Sequence, residues 1–288
     1  MHRSKRWHTV PIIRLLAAFL AFLCGLALCG CQKKTREAAF RIHFLDVVQG
    51  DSALIRTEQG DILIDAGGEG SEGLLCAYLQ ELGVRELALV VFTSPDPDRV
   101  GGGDGVLRAF SVGEVWFNGS FEENESTKRL DLAIDREKTL LRRADAGSAF
   151  RLGGAVVSVL FPLLNGEEDC MALQVAYGDD RAILMGELSR EQERTICKTY
   201  DKTVLRSSFL AIGRNGSATA TSEELLECVA PRYAVIACGT NNLYGYPASE
   251  VLTLLEQANV RVLRKDRYGE IVFASDGGAF YLVNDTDE

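Results

Sequence analysis

The chain reads as short apolar runs separated by polar turns, with amphipathic stretches between some of them. RIHFLDV (41–47), SALIRT (52–57) and DILIDAG (61–67) come in quick succession, each rich in Ile, Leu, Val or Phe and bounded by turn residues, which predicts three strands. SEGLLCAYLQELG then carries helical spacing and stops at Gly83. LALVVFT (87–93) and EVWFN (114–118) read as strands, and the charged run from Ser126 to Gly147 reads as an exposed helix. Four strand-like runs follow closely: AFRLG, AVVSVLFP, LQVAYG and AILMGE. Beyond them come a helix opened by Ser189 and Gln192 in capping-box spacing and the strand FLAIG. A helix opened by Thr221 and Glu224, the strand YAVIACG and the helix ASEVLTLLEQAN come next. VRVLRKD, EIVFASD and AFYLV close the chain as strands. Strand clusters in both halves, each followed by helices and further strands, predict an α+β architecture. Two mixed sheets would pack face to face with helices outside, an αββα sandwich; a doubly wound sheet would alternate strand and helix more strictly.

The first 30 residues differ from the rest. Arg3, Lys5, Arg6 and Arg14 precede the apolar stretch LLAAFLAFLCGLALCG, which ends in small residues and Cys31. The run has signal-peptide length and is short for a spanning helix. Leu28-Cys29-Gly30-Cys31 resembles a bacterial lipoprotein signal, which implies cleavage before Cys31 and lipidation of its thiol. The expected organisation is a signal peptide at 1–30, a tether at 31–39 and one domain at 40–288. That places the protein outside the cytoplasm, with the membrane as a partner through the lipid anchor. Residues 1–30 hold four of the 31 Lys and Arg and none of the 41 Asp and Glu. The remainder therefore has 27 basic and 41 acidic side chains, a formal −14. With no Lys/Arg cluster in the sequence beyond the signal, this weighs against tight non-specific nucleic-acid binding. Five cysteines remain past Cys31 (Cys76, Cys170, Cys197, Cys228 and Cys238), without CxxC spacing, and read as free thiols.

The stretch FTSPDPDRVGGG, 92–103, carries the candidate chemistry. It leaves a buried strand, places carboxylates at Asp96 and Asp98, and enters glycines that supply a tight turn into the next helix. Together with FLDVVQGDSALI and DILIDAGG upstream and ALQVAYGDDRAILMGEL, FLAIGRNGS and NLYGYP downstream, it resembles the metallo-β-lactamase fold. The similarity is greatest to the extracytoplasmic hydrolase-like domain of ComEC-type DNA-uptake proteins, over roughly residues 40 to 275. Asp46, Val47, Gln49, Gly50, Asp51 and Ser52 match that family's first motif, with Val48 in place of glycine, and Asp65 ends the LIDAGG strand.

The resemblance implies one or two divalent metals held by imidazoles and carboxylates, activating a water for ester hydrolysis. This chain departs from it at the ligands. Ser94, Asp96 and Arg99 stand where the family has three histidines of its metal loop, and Asp98 keeps the aspartate. Glu187 replaces the later aspartate, Arg214-Asn215 the histidine pair and Tyr246 the last histidine. The chain has three histidines, His2, His8 and His43; two fall in the signal and none on a ligand motif. Arg99 and Arg214 are expected to face the old metal pocket and neutralise Asp65, Asp96, Asp98 or Glu187. On that reading the protein needs no cofactor and is a non-catalytic pseudo-hydrolase that binds an extracytoplasmic protein or ligand. The alternative keeps a zinc or manganese site built from Asp65, Asp96, Asp98 and Glu187, which would make the chain a phosphodiesterase or nuclease. A third reading is an accessory part of DNA uptake. Ser94 and Ser217 lack a partner base and read as loop serines, and Tyr244 and Tyr246 flank a turn where they could stack on a ligand.

Overall fold

A computed structural model describes residues 38–283, apart from 165, 167 and 241. The expected signal peptide, Cys31 and nearly all of the tether lie outside the described residues.

The chain opens with an antiparallel meander of β1 (Phe40–Phe44), β2 (Ala53–Thr57) and β3 (Gly60–Ile64). It continues in parallel through β4 (Glu86–Phe92), β5 (Ser111–Phe117) and β6 (Leu140–Arg142). Parallel neighbours need crossovers, and helices supply them: α1 (Glu72–Glu81), α2 (Pro97–Val100) with α3 (Gly103–Ala109), and α4 (Glu125–Glu137). The second half follows the same plan. β7 (Ala149–Leu152), β8 (Ala155–Phe161), β9 (Ala172–Tyr177) and β10 (Asp180–Leu184) pair antiparallel. β11 (Phe209–Ala211), β12 (Tyr233–Ile236) and β13 (Arg261–Arg264) then run parallel to β10. Their crossovers are α5 (Arg190–Thr199) with α6 (Lys202–Leu205), α7 (Glu223–Val229) and α8 (Ser249–Gln257). After α9 (Lys265–Tyr268), β14 (Ile271–Ser275) returns to pair with β1, and β15 (Tyr281–Leu282) forms the edge. The sheets have the orders β15-β14-β1-β2-β3-β4-β5-β6 and β13-β12-β11-β10-β9-β8-β7.

Side-chain period explains the layers. Phe40, Ile42, Phe44, Ile55, Ile62 and Ile64 point between the sheets and meet Val157, Val175, Phe209 and Phe273 there. Phe209 and Phe273 stack with centroids 4.3 Å apart. The alternate residues Leu54, Leu63 and Val90 pack outward against Leu75, Leu79 and Leu130 of α1 and α4. Ile183, Leu210 and Ala234 do the same against Ile196, Leu226 and Leu255 of α5, α7 and α8. Both faces of the central strands are therefore covered, which is why their sequences are continuous apolar runs rather than strict alternations. The αββα sandwich expected from the sequence is the observed architecture. All three core clusters lie between residues 40 and 280, so the unit from Ala38 onward carries a complete core of its own. No helix among the described residues is long and apolar enough to cross a membrane.

Three expected elements differ, one of them the strand expected over VRVLRKD, which stops at Arg264 where Lys265–Tyr268 turns helical. The helix expected over 126–147 ends at Glu137, where Lys138 turns left-handed (φ 57°), and Leu140–Arg142 adds an exposed parallel edge strand. The helix expected to be opened by Thr221 is capped instead by Ser222, whose side chain accepts from Leu225 N. Glu193, fully buried, takes the adjacent Thr221 and Ser222 amides at 2.6 and 2.9 Å. The Ser189–Gln192 capping box forms as its spacing indicates. Arg181, Arg206, Arg232 and Arg261, far apart in sequence, come together at one end of the second sheet, a grouping that linear sequence does not display.

Candidate functional site

In open sheets, ligand crevices form beyond the carboxyl ends of parallel strands. Here Thr93 follows β4, Gly186 and Glu187 follow β10, Gly213 to Asn215 follow β11, residues 237–240 and 242–246 follow β12, and Lys265 follows β13. All are brought to the same end of the sandwich.

The opening stretch is positioned by local capping. Asp96 caps the four-residue α2 by accepting from Asp98 N at 2.8 Å, and Pro97 sits at its first position, where no amide hydrogen is needed. That turn aims Arg99 inward, and the residue is 4 % exposed. Backbone contacts then fix the loop: Ala66 N donates to Arg99 O at 2.7 Å, and Asp51 N donates to Asp98 O at 3.1 Å. Gly50 has φ 84°, and any Cβ there would strike the Asp98 carbonyl; a Cβ at Gly101 would strike the Gly68 backbone. The glycines let three loops touch where side chains would hold them apart.

Arg99 sits at the centre of the carboxylates. Its Nη1 lies 3.0 Å from Asp65 Oδ2 and also contacts Asp51 Oδ2. Its Nη2 donates to Glu187 Oε1 at 2.7 Å and to the Gly186 carbonyl at 3.2 Å, and Nε reaches Glu187 Oε1 at 3.1 Å. Asp65, itself 2 % exposed and with a left-handed backbone (φ 58°), also accepts from Thr93 N and Thr93 Oγ1, both at 2.7 Å. One guanidinium thus joins Asp51 and Asp65 of the first half to Glu187 of the second. Burial opposes its charge, but Asp51, Glu187 and Asp65 together outweigh burial and hold it firmly protonated. Burial pushes Asp65 from 3.8 up to about 6, against the pull of Arg99 and the Thr93 bonds. Glu187 is raised by burial, and Asp98 by burial with Asp96 and Asp51 adding, while Gln49 Nε2, 2.7 Å from Asp98 Oδ2, opposes the shift.

A second cation completes the arrangement, one that sequence reasoning missed. Lys265 is 4 % exposed and donates to Leu45 O at 3.0 Å and Gly50 O at 2.9 Å. Burial lowers its pKa, and Asp51 and Asp46 oppose that shift. It braces the loop that carries Asp51. Lys265, Arg99, Asp51, Asp65 and Thr93 line a small cavity of about 30 Å³ between the sheets.

The other predicted residues divide. Asp96, Asp98, Glu187, Arg214, Asn215 and Tyr246 line an open cleft of about 390 Å³ above Arg99, joined by Tyr244. The Tyr244 and Tyr246 rings stack at 5.6 Å, and Asn242 pins their turn by bonding both Tyr246 N and Tyr246 O. Arg214 does not pair with the carboxylates, which corrects the expectation for it. Its backbone is left-handed (φ 50°), its amide donates to Gly186 O, and its guanidinium makes no ion pair among the described residues. Ser94 is buried beneath the loop and accepts from Asp96 N, and Ser217 accepts from Thr219 N, both as loop serines. Asp46 accepts from Val48 N at 3.3 Å. His43 bonds Glu270 at 2.8 Å and lines neither cavity.

The donor set does not fit a zinc-type centre. Among the described residues no imidazole reaches it, and the space between Asp51, Asp65 and Glu187 is filled by the Arg99 guanidinium. Among the described residues, no three His, Cys, Asp or Glu side chains converge in a metal-holding group.

A sandwich of this topology, with its site loops at the strand ends, defines a fold class shared with metal-dependent hydrolases. The chain belongs to the metallo-beta-lactamase superfamily, whose family model matches residues 45–240. It is 25 % identical over 254 residues to ComE operon protein 3 of Bacillus subtilis (strain 168), covering 81 % of this chain and 32 % of that protein. It is 26 % identical over 248 residues to Competence protein ComA of Neisseria gonorrhoeae, covering 84 % of this chain and 33 % of that protein. The chain thus spans about a third of the length of these relatives. Among solved structures, the metallo-beta-lactamase fold protein YhfI from Bacillus subtilis aligns with a TM-score of 0.54 at 9 % identity, covering 85 % of this chain and 99 % of that one. CmlA, a diiron beta-hydroxylase from Streptomyces venezuelae, aligns with a TM-score of 0.55 at 11 % identity, covering 83 % and 54 %. These likenesses establish the fold.

Proposed function

We propose that this protein is a membrane-anchored, extracytoplasmic member of its superfamily that works without a metal and without hydrolysis, by binding a ligand or partner in the cleft above Arg99. The single observation that carries this is the buried Arg99, bonded to Asp65 and Glu187 and in contact with Asp51. A guanidinium there supplies the positive charge that the crowded carboxylates need, and does so with fixed hydrogen-bond geometry. It offers no open coordination position and no means of lowering the pKa of a water, which is what hydrolysis in this fold would require. What remains usable is the cleft, with its carboxylates, the Arg214 guanidinium and the exposed Tyr244 ring. The competence names of its relatives support a place beside DNA-uptake machinery as the setting for such binding.

The test is hydrolysis of bis(p-nitrophenyl) phosphate with Zn²⁺, Mn²⁺ or Mg²⁺ added. No turnover above the metal-only rate is expected. Metal-dependent turnover that disappears in Glu187→Gln would replace this reading with a carboxylate-ligated phosphodiesterase.

A further inference from the structure

The end of the sandwich opposite the cleft has its own character. Arg181 immediately precedes Ala182 in β10; Ser208 and Arg232 immediately precede β11 and β12; Arg261 begins β13. Strand register therefore lines them up: Ser208 N donates to Arg181 O at 2.7 Å, Arg232 N to Ser208 O at 2.9 Å, and Arg261 N to Arg232 O at 3.0 Å. Arg206 joins from the end of α6. An open groove runs between Arg181, Arg206, Arg232, Ser207 and Ser208, with Asp179 the single carboxylate on its lining. Arg181, Arg206 and Arg232 make no ion pair among the described residues, and Arg232 lies 5.0 Å over the Tyr233 ring. The nearby Asp180 is buried and already bonded by Ser208 and Ser275 hydroxyls. Arg181, Arg206 and Arg232, without ion-pair partners among the described residues, give a chain of net charge −10 a local basic patch suited to an anion.

The location narrows the anion. Phe40, the first residue of β1, pairs with Ser275, whose hydroxyl bonds Asp180 beside Arg181. The chain therefore enters the fold at the arginine end. The sequence just before it carries Lys33, Lys34 and Arg36. Phe280 lines the groove, and Tyr281, 47 % exposed, follows it. Basic groups beside an aromatic residue suit the headgroup level of a bilayer.

We propose that Arg181, Arg206 and Arg232 bind the phosphates of anionic phospholipid headgroups, so that the entry end of the domain faces the bilayer and the cleft faces away. The inference rests on the reading of the N-terminal segment as a membrane anchor, and the test separates the two by using residues 38–288, which lack that segment and carry the complete core.

The probe is sedimentation with vesicles of phosphatidylcholine alone or with about one-third phosphatidylglycerol. The domain is expected on the anionic vesicles only, and to leave them as salt rises. Each arginine near such a surface contributes roughly fivefold, so combining Arg181→Gln, Arg206→Gln and Arg232→Gln should weaken binding about 100-fold with an unchanged melting curve. Should the triple variant not fold, Arg206→Gln alone, at an exposed loop position, should lose about fivefold. Equal binding to neutral vesicles, or variants that bind like wild type, overturns the proposal. Tighter binding to duplex DNA through the same arginines overturns it too, and assigns the patch to nucleic-acid phosphate.

Discussion

Replacing Arg99 with alanine removes the one group that touches Asp51, Asp65 and Glu187 together. Asp65 is 2 % exposed and has only the Thr93 bonds left to it, so its charge stays buried without a cation. Breaking a buried pair by deleting one partner costs about 3–5 kcal/mol. For a domain of this size each kcal/mol is worth roughly 2–4 °C, so Arg99→Ala should melt roughly 10 °C below wild type near pH 8. The pH dependence is the sharper signature. Without Arg99 the pKa values of Asp65 and Glu187, which its charge now lowers against burial, rise further, so the folded variant holds protons that its unfolded chain releases. More protons on the folded side means that stability falls as pH rises. The deficit against wild type should therefore be large at pH 8 and shrink by pH 5, where the stranded carboxyls are protonated. Paired thermal melts at the two pH values read it directly. A variant that melts within about 2 °C of wild type at both would refute the claim that Arg99 supplies the charge balance of this site.

Arg214→Ala should melt within about 2 °C of wild type, because its guanidinium makes no ion pair among the described residues; a loss comparable to that of Arg99→Ala would contradict the geometry. Lys265→Met keeps the volume but leaves the Leu45 and Gly50 carbonyls without their donor, and should cost about 2–4 kcal/mol in urea unfolding. Wild-type stability should itself carry a contribution that falls between about pH 4 and pH 6, since the folded Asp65 pKa of about 6 lies above its ordinary 3.8 and the folded state holds that proton longer. Asp65→Asn should flatten that slope, and an unchanged slope would place the titration elsewhere.

How far these features could be read from sequence depended on the distance over which each is determined. The strand runs and the Ser189–Gln192 cap are local, and they appear as expected. Arg99 was legible because its neighbours Asp96, Pro97 and Asp98 set the turn that aims it, and because ordered motifs pointed to Glu187 as a partner 88 residues away. Arg214 departs from expectation where its backbone is left-handed and its amide meets Gly186 O, a geometry that joins two loops distant in sequence. Lys265 sat inside what reads as a strand end; only the placement of β13 beside β12 brings its amine to Leu45 and Gly50. The arginine row was invisible for the same reason. Arg181, Arg206 and Arg232 lie far apart in sequence, and only register across neighbouring strands brings them together. The charged run after Glu137 showed helical composition, yet Lys138 turns left-handed and the chain exploits a free parallel edge instead.

The most direct measurement is metal content by mass spectrometry on purified residues 32–288 after incubation with Zn²⁺, Mn²⁺ and Mg²⁺ and desalting. With Arg99 seated among Asp51, Asp65 and Glu187, the account predicts below about 0.1 equivalent of any divalent metal. Retention near one equivalent, lost in Asp65→Asn or Glu187→Gln, would contradict it and return the site to metal chemistry.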